Sequence, residues 1–276
     1  MSIKYAYLGP AGTFTEAALL KITNQGDQLI AYANVTAALN AVRNGECEKA
    51  LVPIENSIEG VVARTLDELA IGEPLVITAE TTLPVSFALM TLPNTDVKQI
   101  KSIATHPHAE SQCRSYIAKN YPNAQIIETS STAAAAKGLI KGDYDAAIAA
   151  RIAAKNYQLK IIDENIGDNI GAVTRFVLVE KSGKTPAATG RDRTSLAVFI
   201  AIDHAGALLE ILNEFAKHQV NLTFIQSRPT GVELGHYHFI IDAEGHIQDA
   251  PVSGALAGLK QICEDIRFLG SYPQAK

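Results

Sequence analysis

The 276-residue chain has no tryptophan, only 6% aromatic residues, and three cysteines, Cys47, Cys113 and Cys263. An odd cysteine count without CxxC spacing argues against a disulfide framework and against a zinc site. No apolar run reaches the length of a membrane span, and the opening Met1-Ser2-Ile3-Lys4-Tyr5 lacks a secretory pattern. The expected setting is therefore a reduced cytoplasm, without a membrane partner. Positive charge is also short: 24 Lys and Arg against 29 Asp and Glu leave a net charge of −5. That balance argues against a nucleic-acid partner, and it requires any anionic ligand to be held by local groups rather than by the overall field. What is present is aliphatic, with 47% hydrophobic and 19% charged residues, an ordinary globular composition. The length suggests about two domains.

The first part of the chain alternates strand and helix. Lys4 to Leu8 reads as a strand, running through Gly9-Pro10-Ala11-Gly12-Thr13 into a helix from Phe14 to Ile22. A glycine turn before a helix leaves unpaired N–H groups suited to an anion, although the glycine spacing is neither GxGxxG nor a P-loop. A packing turn explains it equally well. Strands at Leu29 to Tyr32 and Lys49 to Val52 flank a helix at Val35 to Arg43, whose Val35, Ala38, Leu39 and Val42 fall at helical spacing. Pro53 is expected to stop the second of these strands, and Asn56 and Ser57 are expected to cap a helix near Val61 to Leu69. A ligand-facing role for Asn56 is compatible with that, since open α/β sheets bind ligands at the carboxyl ends of their strands.

Extended segments at Leu75 to Thr81 and Val85 to Leu92, parted by Pro84, suggest a crossing between two α/β halves. The alternation resumes with a strand at Ile100 to Ala104 and a helix opened by Pro107. Strands at Gln125 to Glu128, Ala146 to Ala149 and Leu159 to Ile162 follow, with helices after Ser131-Thr132 and near Arg151. Such a pattern predicts mostly parallel sheets. Phe176-Val177-Leu178-Val179 reads as a buried strand with Thr174 and Arg175 at its mouth, followed by the linker-like Lys181-Ser182-Gly183-Lys184-Thr185-Pro186. That position suggests an active-site edge and a hinge to a further module. His106 and His108 lack a third ligand placed by spacing, and Glu55 and Glu59 are expected to form a solvated rim.

After the linker the pattern becomes βαββαβ, a ferredoxin-like order. Strands are predicted at Ser195 to Ile202, Val220 to Ser227, Tyr237 to Asp242 and Ile266 to Leu269. One helix spans Gly206 to His218 with an apolar stripe of Leu208, Ile211, Leu212 and Phe215, and a second is marked by Val252, Leu256 and Leu259. His236 and His238 share a face of one strand and are expected at the surface.

Four motifs occur in order: Tyr7-Leu8-Gly9-Pro10-Ala11-Gly12-Thr13-Phe14-Thr15-Glu16, Pro53-Ile54-Glu55-Asn56-Ser57, His106-Pro107 with Gln112-Cys113, and Thr174-Arg175-Phe176. Together they make the chain resemble the monofunctional prephenate dehydratases. Gly206-Ala207-Leu208 and Gln226-Ser227-Arg228-Pro229 resemble the markers of an ACT domain. The resemblance implies an α/β fold, with a two-lobed, periplasmic-binding-protein-like catalytic domain over residues 3–181 and a ferredoxin-like ACT domain over 194–272. It implies a lyase that converts prephenate to phenylpyruvate, carbon dioxide and water in phenylalanine biosynthesis, with no cofactor and no metal. It also implies feedback inhibition by L-phenylalanine and assembly as a homodimer or homotetramer.

Carried over by motif, Thr174 is the essential threonine, Asn56 and Gln112 are cleft amides, and Thr105 stands where many members have serine. Arg175 is expected to pair with one substrate carboxylate and the Gly12 and Thr13 backbone with the other, with Glu55, Ser57 and Phe176 beside them. The effector site would draw on Gly206, Ala207, Leu208, Asn221, Leu222, Gln226, Ser227, Arg228 and Pro229. Two positions depart from the family pattern: Ala172 replaces a common asparagine, and Gln226 replaces a glutamate whose charge would pair with the effector's ammonium. Arogenate dehydratase, and a non-catalytic amino-acid sensor built on the same cleft, are the alternative readings.

Overall fold

The computed structural model describes residues 2–183, 185–200, 204–231 and 237–275. The first lobe is built from β1 (Lys4–Leu8), α1 (Phe14–Leu19), β2 (Gln28–Tyr32), α2 (Val35–Arg43), β3 (Lys49–Asn56), β4 (Gly60–Val61), α3 (Ala63–Ile71) and β5 (Leu75–Pro84). The second lobe holds β6 (Phe87–Thr91), β7 (Ser102–Thr105), α4 (Pro107–Gln112), α5 (Arg114–Asn120), β8 (Gln125–Glu128), α6 (Thr132–Leu139), β9 (Ala146–Ala150), α7 (Arg151–Tyr157) and β10 (Lys160–Glu164), before β11 (Val173–Lys181) returns to the first. The strand orders are β2-β1-β3-β11-β5, with β4 on β3, and β10-β6-β9-β7-β8.

The parallel expectation holds only within each half. Strands β2, β1 and β3 are parallel, as are β8, β7 and β9, but β11 runs antiparallel to β3 and β5, and β6 runs antiparallel to β9 and β10. The cause is the crossing. A strand whose helix brings it back ends at the cleft, whereas β6 and β11 arrive from the opposite lobe and so begin there. Carboxyl ends of returning strands and amino ends of crossing strands therefore meet at one place.

Local departures from the sequence reading have similar causes. Helix α1 stops at Leu19 rather than Ile22. Strand β3 continues through Pro53 to Asn56, because its partner β1 pairs only as far as Leu51 and its ladder with β11 slips at Ile54. The missing N–H therefore costs no ladder bond on the β1 side. Helix α3 begins at Ala63 behind Val62 with no side-chain cap, so Asn56 and Ser57 do not cap it. Helix α2 matches its predicted span, and Asn34 accepts from the Ala37 N–H at its start.

The last part contains β12 (Asp192–Ile200), α8 (Ala207–Lys217), β13 (Leu222–Pro229), β14 (Tyr237–Glu244), α9 (Ala250–Ile262) and β15 (Cys263–Pro273), in the order β13-β14-β12-β15. This is the ferredoxin-like arrangement. Ala201 and Ile202, predicted as strand, and His236 lie outside the described residues. One face of the sheet packs Leu196, Val198, Ile241 and Phe239 under α8 and α9. The other face joins the first lobe: Ala197, Ile240, Leu269 and Tyr272 share a core with Leu66, Leu69, Ile77 and Val177. A Cβ on Gly270, at φ +150°, would lie 2.2 Å from the Ile77 carbonyl oxygen. The two modules thus meet backbone to backbone rather than hanging on a loose linker. His238 is fully buried and stacks on Phe199 with ring centres 5.0 Å apart, which overturns its surface assignment. No helix among the described residues is long and apolar enough to cross a membrane.

Candidate active site

The cleft between the lobes encloses about 260 Å³. Asn56 and Thr174 line it from the first lobe, paired directly across β3 and β11. Gln112 lines it from α4, and Phe14 and Phe87 meet edge to face across the lobes with ring centres 5.4 Å apart. His106, His108 and the run Ser130-Ser131-Thr132 complete the described wall with Val85 and Ala109.

Hydrogen bonds fix the polar groups. The Asn56 Oδ1 accepts from the Ile58 and Glu59 N–H groups at 2.8 and 2.9 Å, and its Nδ2 donates to the Thr174 Oγ1 at 2.8 Å. Because backbone donors identify the oxygen end of this amide, its NH₂ end must face Thr174. The Thr174 oxygen then accepts, and its own proton is directed elsewhere. On the opposite lobe His106 caps α4 by accepting at Nδ1 from the His108 N–H at 3.3 Å. Burial, assisted by the neighbouring His108, lowers the His106 pKa, so the ring is neutral near pH 7 and carries its proton on Nε2. Ser131 caps α6 through the Ala134 N–H at 3.0 Å. The amino ends of α4 and α6 therefore both open on the cleft, whose described lining contains no Lys or Arg. Their dipoles favour an anion.

Several expected site residues are engaged elsewhere. Thr105 is buried and its hydroxyl donates to the Ile148 carbonyl at 2.9 Å, tying β7 to β9. The Gly12 N–H donates to Glu16 at 2.5 Å, and a Cβ at this φ of +91° would press on Ala153 and Tyr157 of the other lobe. This turn is an interlobe contact, reinforced by Tyr157 donating to the Ala11 carbonyl at 2.7 Å, while Thr13 caps α1. Ser57 exchanges bonds with the Val173 backbone through its Oγ and its N–H, both at 2.9 Å. Phe176 is 1% exposed among Tyr5, Tyr7, Leu19 and Leu51.

Arg175 alternates with Thr174 along β11 and so emerges on the opposite face. There it lies 3.2 Å from Glu55, 3.2 Å from Glu80 and 2.8 Å from Asp242 of the ferredoxin-like module. A guanidinium held by these carboxylates is not turned toward a cleft ligand. Glu55 and Glu59 keep solvent-exposed side chains, as a rim would, but both are also partnered: Glu55 pairs with Arg175, and Glu59 reaches His108 and Gln112 across the cleft at 2.6 and 2.9 Å.

The expected effector residues fall into two groups. Gly206 precedes α8, and Ala207 lines a cavity of about 250 Å³ with Ile200, His204, Glu210, Ile211, Ile262 and Cys263. Gln226 to Pro229 lie on β13, where Gln226 donates to the Ser227 carbonyl at 3.0 Å and Arg228 grips Asp67 of α3 in bidentate fashion at 2.8 and 2.7 Å. Asn221 accepts from the Glu244 N–H at 2.9 Å, and Leu222 starts β13. Sequence reasoning missed Phe14, Phe87 and Ser130 as cleft residues. Ser130 was accessible to it, because it follows a strand end and precedes an N-cap, where α/β ligands bind. The aromatic pair was not, since each ring comes from a different lobe.

Comparison with known proteins agrees with this architecture. Residues 5–184 match the model of the prephenate dehydratase family and residues 194–261 that of the ACT domain. The chain is 44% identical to the prephenate dehydratase of Amycolatopsis methanolica over 99% of its own length and 89% of the relative's. A crystal structure of a prephenate dehydratase from Arthrobacter aurescens in complex with L-Phe is 49% identical, with a TM-score of 0.93 over 98% of this chain and 90% of that one. A protein described as a novel type of quorum quenching acylase, GqqA, has the same overall fold at 26% identity and a TM-score of 0.87, covering 98% of each chain. Fold alone leaves activity to the site, but the matches by sequence span nearly the whole length: the chain belongs to the prephenate dehydratase family and carries an ACT domain.

Proposed function

We propose that the cleft converts prephenate to phenylpyruvate by loss of carbon dioxide and hydroxide, with Thr174, Asn56 and Gln112 in contact with substrate. Aromatisation of the ring supplies much of the driving force, so the site has to hold a dianion, seat the leaving carboxylate and assist the leaving hydroxide. The observation that carries the reading is the Asn56–Thr174 hydrogen bond at 2.8 Å. It consumes an acceptor site on the Thr174 hydroxyl and frees its proton for a leaving oxygen, an assistance worth about 10²–10⁴-fold in rate. The amino ends of α4 and α6 suit the carboxylates at about 0.3–1 kcal/mol each. The Phe14–Phe87 pair offers the apolar wall against which a carboxylate loses hydration. Neutral His106 serves as a further donor through Nε2.

Thr174→Ser is expected to retain most phenylpyruvate formation, followed by its absorbance. Thr174→Ala is expected to lose about 10²-fold or more in kcat with an unchanged thermal midpoint; equal activities in the two variants would remove the donor role. Running the wild type with prephenate and with arogenate in the same assay separates the two substrates. Acyl cleavage of the GqqA kind finds no support in Cys113, next to Gln112, whose buried thiol is pushed up to about 12 and so stays protonated.

Residues 3–181 form the catalytic unit and 194–272 the regulatory one on this reading, with L-phenylalanine as the inhibitor. The L-Phe complex of the Arthrobacter relative supports the effector. Exposed Leu208, Leu209, Ile225 and Ile262 on the ACT module support a homodimer or homotetramer. Free Cys47, Cys113 and Cys263 fit a cytoplasmic location.

A further inference from the structure

We infer that Glu59 is a positioning residue for this reaction, acting from the first lobe through the Gln112 amide of the second. This rests on the reading of Gln112 as a group that touches substrate. The turn after β3 is closed by Asn56, whose Oδ1 accepts from the Glu59 N–H at 2.9 Å. The same amide that aims Thr174 thus also fixes where the Glu59 side chain leaves the backbone. The Glu59 carboxylate then spans the cleft. Its Oε1 accepts from Gln112 Nε2 at 2.9 Å, and its Oε2 lies 2.6 Å from His108 Nδ1. His108 and Gln112 are four apart on α4 and share a face, so one carboxylate holds both.

Two physical arguments favour positioning over a passive surface contact. Rotation about the last bond of a glutamine side chain is soft, so a buried amide keeps one orientation only when a partner specifies which end is oxygen. Gln112 is 7% exposed, and Glu59 accepts only from its NH₂ end. That leaves the carbonyl oxygen and one N–H available to the cleft in a defined direction. Secondly, the carboxylate bridges the two lobes, bonding from the turn after β3 to two side chains of α4. Both Glu59 oxygens are committed to groups of the opposite lobe, so the pairing holds the lobes in register.

The test is a double-mutant cycle on the full-length protein, measuring kcat and KM for prephenate together with the thermal midpoint. Glu59→Ala is expected to lower kcat by about 10–100-fold, the scale of a misplaced cleft group, with the midpoint shifted by only a few degrees. Glu59→Gln, which retains an acceptor for the Gln112 N–H, recovers part of the rate. In the Gln112→Ala background, Glu59→Ala changes kcat less than about twofold, because the group it orients is gone. An unchanged kcat in Glu59→Ala, or the same fold-loss in both backgrounds, overturns the assignment. Wild-type kcat in Gln112→Ala alone would instead refute the wider site reading, so the two failures are distinguishable.

Discussion

Asn56 has two hydrogen-bonding ends, and both are used: the oxygen builds the turn that carries Glu59, and the nitrogen directs the Thr174 hydroxyl. Its family motif pointed to the cleft, and the residue lines it. Thr105 carried a similar expectation, but its hydroxyl donates to Ile148 inside the second sheet. A hydroxyl has one proton to give, and at Thr105 it is spent on β9. Thr105→Val is therefore expected to leave kcat and KM within about twofold while costing about 1–3 kcal/mol, the range for a buried carbonyl left without its donor. Urea unfolding and steady-state kinetics on the same preparation check both halves. A large kcat loss in a stable protein would return Thr105 to the cleft. Sequence names the hydroxyl but not its acceptor, because Ile148 lies 43 residues away.

Among the elements, those governed by local rules were legible. Helix α2 follows from its apolar spacing, β8 from its Ile126-Ile127 pair between polar ends, and α6 from Ser131 at its N-cap. The continuation of β3 past Pro53 and the reversed direction of β6 and β11 were not legible, since both depend on which strand lies alongside. The docking of the ACT module was hidden for another reason. Strand β12 alternates Leu196 and Val198, under the helices, with Ser195 and Ala197 on its other face. They are small residues at a contact: Ser195 hydrogen-bonds Asp242 at 2.6 Å and Tyr272 at 2.7 Å, and Ala197 joins the shared core. Gly270 on β15 belongs to this close approach. Gly270→Ala forces a methyl into the Ile77 backbone, which has no flexible side chain to yield. The expected cost is about 1–3 kcal/mol from overpacking, with strain at φ +150° added. Replacement of a glycine such as Gly190, where a Cβ at φ +83° would meet no atom within 4 Å, controls for the left-handed backbone alone. Equal midpoints for the two variants would mean that β15 and β5 separate without penalty.

At the scale of the whole molecule, the catalytic strand and the ACT module are joined by a nearly closed set of charges. Arg175 and Arg193 face Glu80 and Asp242, with Glu55 at the edge. The carboxylates are further satisfied by Ser195 on Asp242 and by the Ala275 N–H on Glu80 at 2.9 Å. Arg175 also stands 5.6 Å over the Phe224 ring of β13, so the residue after Thr174 touches the strand that bears the effector motif. This contact, rather than the linker after Lys181, is the physical junction near Thr174. Removing one charge from such a set leaves buried partners short of a counter-charge, and a buried pair broken outright costs about 3–5 kcal/mol, whereas replacing both members by apolar groups is often close to neutral. Asp242→Leu is accordingly expected to lower stability to urea by up to about 3–5 kcal/mol, the upper bound because Glu55 and Glu80 remain beside the two guanidiniums, and Arg175→Met with Asp242→Leu to recover most of that loss. The paired variant also decides what Arg175 does. If its guanidinium bound a substrate carboxylate, the restored protein would show a KM for prephenate raised by about tenfold or more, the equivalent of losing about 1.5–3 kcal/mol from a charged hydrogen bond. A junction role leaves KM within about twofold, and the response to phenylalanine then weakens, because the link between β11 and the ACT sheet has lost its charges.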